Sequence, residues 1–159
     1  MNTLLFTAAQ KSLKEIADSM LFLPVEATDA LEEMSKMVVD ISALIGMSGA
    51  LQGSIRLAAP DASALAIASA LVGEEKTSID AEAKDAFGEM CNMMAGGIQL
   101  RVEERMGKIR ISPPLMIVGQ GHRTRQDRRS SILVQELKLD GHPFFTEIQF
   151  RPPRTPPSR

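Results

Sequence analysis

The sequence predicts one α/β domain of the α+β type, with a largely antiparallel sheet and one long helix. Three observations carry that expectation. Two hairpin patterns, Val38–Met47 with Leu51–Ala58 and Ile132–Leu139 with Phe144–Phe150, set strands beside their neighbours in sequence. Between the hairpins, the stretch from Thr77 to Gly107 holds a helical period over most of its length. A chain of 159 residues, with 44% hydrophobic and 24% charged side chains, suits a single globular core.

Taken in order, Leu5, Ala9, Leu13, Ile16 and Met20 recur at helical spacing, with Lys11, Lys14, Glu15 and Asp18 between them. That is an amphipathic first helix. Leu21–Glu26 reads as a short strand broken by Pro24, and the acidic segment Ala27–Lys36 suits either a helical turn or two or an irregular excursion. In the first hairpin Ser48-Gly49 is the turn signal. Leu51, Gly53, Ile55 and Leu57 alternate with Gln52, Ser54 and Arg56, so one face is expected to be buried. Pro60-Asp61 opens an Ala-rich helix that Gly73 closes. After the long helix, Ile109–Val118 reads as a strand interrupted by Pro113-Pro114, whose missing N–H groups mark an edge or a bulge. Gly119–Ser130 is a basic loop with Arg123, Arg125, Arg128 and Arg129, and Asp140-Gly141 turns the second hairpin. The expected organisation is a domain over residues 1–150 and a proline-rich, extended tail over 151–159.

Composition excludes several classes. The net charge of −2 gives no global reason to expect nucleic acid. Its distribution is uneven: residues 1–89 hold 14 acidic and 6 basic side chains, net −8, and residues 90–159 hold 6 and 12, net +6. Cys91 is the only cysteine, so no intrachain disulfide forms, and its place on an apolar stripe makes it a core residue. No apolar run reaches the roughly 18 residues that would span a membrane, and no basic-then-apolar leader opens the chain. The default address is the cytoplasm. His122 and His142, the only histidines, fall in loops and form no zinc set with one cysteine. No Gly-rich phosphate loop and no nucleophile-elbow serine is present.

The candidate chemistry lies on the long helix, which Thr77 or Asp80 can cap. Ala83, Phe87, Met90, Cys91, Met94 and Ile98 fall on one side; Glu82, Asp85, Glu89, Asn92, Gly96 and Gln99 fall on the other. Past Ile98, Arg101 and Arg105 land on the apolar side, so the last two turns are expected to project from the core. Glu89 and Asn92, three residues apart, stand together on the wet face. Many surface helices carry such a pair. Here, though, a mediocre helix former sits mid-helix and faces out, with Gly96 beside it. A carboxamide has donor and acceptor atoms and cannot act as a general base. The chemistry it suits is orienting a water for attack on an activated phosphoryl group.

Asp85-x3-Glu89-x2-Asn92, followed by Ile111-Ser112-Pro113-Pro114, resembles the signature of the CheC/CheX family of chemotaxis phosphatases. Ile45-Gly46-Met47-Ser48-Gly49, Gly73-Glu74-Glu75 and Val118-Gly119-Gln120-Gly121-His122 extend the likeness over residues 40–122. A single Glu-Asn helix makes the chain CheX-like. The resemblance implies a three-layer fold whose motif helix docks on a phosphorylated CheY-like receiver domain. In that reading Asn92 positions the attacking water and Glu89 pairs with the receiver's active-site lysine. Asp85 supports them, and Pro114 (or Pro113) is the motif's structural proline. No metal or cofactor belongs to this chain; the receiver supplies Mg2+ and the phospho-aspartate. A homodimer that pairs sheet edges is also implied, with neither nucleic acid nor membrane as partner. The alternative is a non-catalytic receiver-binding adaptor of the flagellar-switch kind.

Overall fold

The computed structural model describes residues 1–27, 38–125 and 127–151. The ambiguous segment Ala27–Lys36, beyond its first residue, and the tail from residue 152 lie outside the described residues. Helix α1 spans Asn2–Ile16. Its end widens into a π-helical turn at Ala17–Leu21, where the Phe22 N–H donates to the Ala17 carbonyl at 2.8 Å. The wider turn rotates the stripe. Leu21 is buried instead, and Met20, expected on the apolar side, is 48% exposed.

Among the described residues, β1 (Val25–Ala27), β2 (Ile41–Gly49), β3 (Gln52–Ala59), β4 (Ile109–Ile111), β5 (Leu115–Val118), β6 (Ser131–Leu139) and β7 (His142–Arg151) form one sheet in the order β1-β6-β7-β3-β2-β4, with β5 also on β2, and every pairing is antiparallel. β1 is Val25–Ala27, starting only after Pro24. β2 (Ile41–Gly49) and β3 (Gln52–Ala59) make the first hairpin. Its bend falls at Ala50-Leu51, two residues beyond Ser48-Gly49. Gly49 stays in the strand at φ 101°, because a Cβ there would lie 2.5 Å from the Lys108 carbonyl oxygen. β6 (Ser131–Leu139) and β7 (His142–Arg151) make the second hairpin. Asp140 and Gly141, both at positive φ, form its primed turn.

Helices α2 (Asp61–Val72) and α3 (Ala81–Met106) lie with α1 on one face of this sheet. Leu5, Leu13, Ile67, Phe87, Met90 and Met94 meet the alternate strand residues Ile41, Ala43, Ile45, Ile55, Leu57 and Ile148 in one core. The expectation that α3 leaves the core after Ile98 is overturned. Val102 is fully buried, because α1 extends the cover on that side. Arg101 does not break the packing, since its guanidinium reaches the Gly97 carbonyl at 3.0 Å and the Glu15 carboxylate.

The far face is buried around Arg56, which corrects the reading of Arg56 as a solvated residue. Its guanidinium lies 3.2 Å from Glu147 Oε2 and stands 5.0 Å above the Phe145 ring, and both charged side chains are almost fully buried. Phe145 packs with Val39 and Ala58. Among the described residues, the loop that follows residue 118 reaches this face at His122, whose Nε2 lies 2.7 Å from Ser42 Oγ.

Candidate functional site

The site rests on how α3 is fixed. Asp80 caps it, its Oδ1 accepting from the Ala83 N–H at 2.8 Å, while Lys76 Nζ lies 2.8 Å from Asp80 Oδ2 and Glu82 Oε1. The hydrogen bond from Lys76, followed by that from Ala83, holds the Asp80 carboxyl below its ordinary range. The inward face is sealed: Ala83, Phe87, Met90, Cys91, Met94 and Ile98 are all buried. Burial pushes the Cys91 thiol up to about 12, and its Sγ donates to the Ala43 carbonyl at 3.5 Å, so it is an inert core group.

The outward face carries the sequence candidates. Asp85 and Glu89 are exposed and Asn92 is half-buried, one turn apart along the helix. Among the described residues, none of their side chains accepts or donates a hydrogen bond within the chain. They are therefore available to an outside group. Pro114 sits behind them. A Cβ at Gly88, next to Glu89, would lie 3.1 Å from Met116 Sδ and 3.7 Å from Pro114 Cγ. Of the two prolines, Pro114 is thus the one brought against α3, and Pro113 is exposed.

Sequence reasoning missed the device that puts Pro114 there. β4 (Ile109–Ile111) and β5 (Leu115–Val118) both pair with β2, leaving Ser112–Pro114 as a break between them. The ladder is patched by Ser112, whose N–H donates to the Gly46 carbonyl at 3.0 Å and whose Oγ accepts from the Gly46 N–H at 2.8 Å. A hydroxyl replaces a backbone carbonyl that the prolines displace. The only signal in the sequence is a serine directly before two prolines.

A serine–histidine contact exists elsewhere. Ser42 Oγ is 2.7 Å from His122 Nε2, and His122 Nδ1 donates to the Gly119 carbonyl at 2.8 Å. Ser42 is fully buried and its Oγ also accepts from Arg56 at 3.2 Å, so no substrate can reach it. This chain of hydrogen bonds pins the loop. Among the described residues no cluster of His, Cys, Asp or Glu could hold a metal ion. No helix there is long and apolar enough to cross a membrane.

The fold is an α+β domain, an antiparallel sheet backed by a long helix that carries the Glu89–Asn92 pair on its open side. The chain belongs to the family described as chemotaxis phosphatase CheX, whose profile matches residues 41–138. It is similar to the CheY-P phosphatase CheX of Thermotoga maritima, with 32% identity over 78 residues, or 48% of this chain and 50% of that protein. The matched part is thus half the length of that relative. The crystal structure of CheX from Vibrio vulnificus superposes with a TM-score of 0.82 at 26% identity, covering 92% of this chain and 99% of that one. The fold is shared with the CheX of a CheX–CheY–BeF3–Mg2+ complex from Borrelia burgdorferi, at a TM-score of 0.76 and 23% identity over 92% of this chain and 97% of that one.

Proposed function

We propose that this chain removes the phosphoryl group from the phospho-aspartate of a CheY-like receiver domain. The observation that carries the reading is the pairing of Glu89 with Asn92 on the open face of a helix whose other face is locked in the core. Membership in the CheX family supports it, as do the activity named for the Thermotoga relative and the CheY partner in the Borrelia complex.

In this mechanism α3 lies over the receiver's active site, and the Glu89 carboxylate pairs with a receiver lysine. The Asn92 carboxamide enters beside the phosphoryl group and holds a water in line with the phosphorus. The water oxygen bonds to phosphorus as the bond to the aspartate oxygen breaks. The carboxylate leaves with the electron pair, and both of the water's protons end on the inorganic phosphate, released as dihydrogen phosphate. Mg2+ is the receiver's own and offsets charge on the phosphoryl oxygens; this chain brings no metal. Asp85, one turn before Glu89 on the same face, supports the pair. The reaction belongs to the cytoplasm, where such receivers work.

The assembly proposed is a homodimer that pairs sheet edges. β4 and β5 border the sheet, and Leu115 and Val118 on β5 are 61% and 48% exposed, an edge that a second copy would cover. The direct test of function is the decay of a CheY-type receiver, phosphorylated with acetyl phosphate, with and without this protein. Accelerated decay is expected, and binding without acceleration would make the chain an adaptor. Light scattering at tens of micromolar should give twice the chain mass; a monomer would remove the dimer.

A further inference from the structure

Two adjacent glycines, Gly96 and Gly97, lie within α3, and the chain's own packing accounts for only one. A Cβ at Gly97 would lie 2.2 Å from Ser12 Oγ, where α1 crosses α3 and Ser12 donates to the Met94 carbonyl. Gly97 is therefore required by the interior. At Gly96 a Cβ would meet nothing within 4 Å. Its backbone is ordinary helix, without the positive φ that would call for glycine. A mid-helix glycine with neither reason is a local weakness, since alanine is much the better helix former.

The position of Gly96 supplies the reason that the fold does not. At about 100° per residue it points between Glu89 and Asn92, and it lies about 6 Å along the axis from Asn92. It is thus the flattest point of the same outward stripe. We infer that Gly96 is a positioning residue for the phosphoryl-transfer partner. Its missing side chain lets the receiver's surface close on the α3 backbone, which brings the Asn92 carboxamide to the depth of the phosphoryl group. This rests on the receiver-phosphatase reading and adds to it a steric requirement one turn beyond the Glu-Asn pair.

The test compares wild type, Gly96→Ala, Gly96→Met and Asn92→Ala, all as full chains. Three quantities are read: the melting temperature, affinity for a CheY-type receiver activated with beryllofluoride and Mg2+, and steady-state dephosphorylation. Gly96→Ala should raise Tm by about 2–4 °C, because helix propensity improves and nothing is displaced. Gly96→Met should melt no lower than wild type, yet bind the activated receiver about tenfold or more weakly and lose kcat/KM by at least as much. A glycine needed only for folding would show the reverse, a lowered Tm, and that result overturns the inference. It is also overturned if Gly96→Met binds and turns over as wild type does while Asn92→Ala loses turnover; the phosphatase reading would then stand alone. If wild type neither binds nor dephosphorylates the receiver, both fall together.

Discussion

The Pro114 ring stands against α3 at Gly88, where a Cβ would be 3.7 Å from Pro114 Cγ. An edge-strand interruption thus braces the helix one residue before Glu89. The contact ties the sheet border, through Ser112 and Gly46, to the turn that carries Glu89. Gly88→Ala should stay near wild-type stability, since the closer obstacle is the flexible end of Met116, 3.1 Å away, and alanine favours the helix. Gly88→Val should cost roughly 1–3 kcal/mol by overpacking. Urea titrations of both variants check this; equal stability of Gly88→Val and wild type would mean that the brace is loose.

The cap of α3 makes a pH prediction. The Asp80 carboxyl lies below its ordinary value of 3.8, chiefly through Lys76. A depressed carboxyl stabilises the fold above its unfolded value, and that contribution is lost as pH falls through the folded one. Lys76 is raised from 10.5, chiefly by the hydrogen bond to Asp80 and then that to Glu82, so its share is complete below 10.5 and fades only in strong alkali. Asp80→Ala should therefore lower the urea midpoint between pH 5 and 9, and the gap to wild type should close towards pH 2. A gap that does not change with pH would contradict the assignment.

The buried pair Arg56–Glu147 should behave as a unit. Glu147→Ala leaves a guanidinium buried without its counter-charge and should cost roughly 3–5 kcal/mol. Replacing both, as Arg56→Met with Glu147→Leu, should restore much of that loss, because the desolvation of two charges disappears together. Denaturant unfolding of the two singles and the double measures the coupling. Additive losses would show that the pair is not coupled.

How far the sequence reached follows from the range of each interaction. Both hairpins and α3 were legible because periods of 2 and 3.6 are local, and Asp140-Gly141 names its own turn. Glu89 and Asn92 were legible as a wet-face pair for the same reason. Arg56 was not, because Glu147, which lets it be buried, is 91 residues away and alternation alone assigns it to water. Arg101 misled in the same manner: its partner Glu15 lies 86 residues away, and Val102 beside it carries the packing onward. The π-turn after Ile16 depends on how α1 closes against its neighbours, and the pattern through Met20 gave no sign of it. Motif spacing favours Pro114 over Pro113 by a single residue, and the contact at Gly88 separates the two.

The central claim is that Asn92 holds the attacking water, and the dephosphorylation rate of Asn92→Ala tests it most directly. The side chain touches no described residue through a hydrogen bond, and alanine is the better helix former, so the variant should fold as wild type does. Losing an orienting group should lower turnover by roughly 10²-fold or more. Affinity for the beryllofluoride-activated receiver should change only a few-fold, because the amide acts mainly in the transition state. Asn92→Asp, which brings a negative charge toward the phosphoryl group, should be at least as impaired. The account predicts turnover lost with binding kept; a folded Asn92→Ala that dephosphorylates the receiver at the wild-type rate would contradict it.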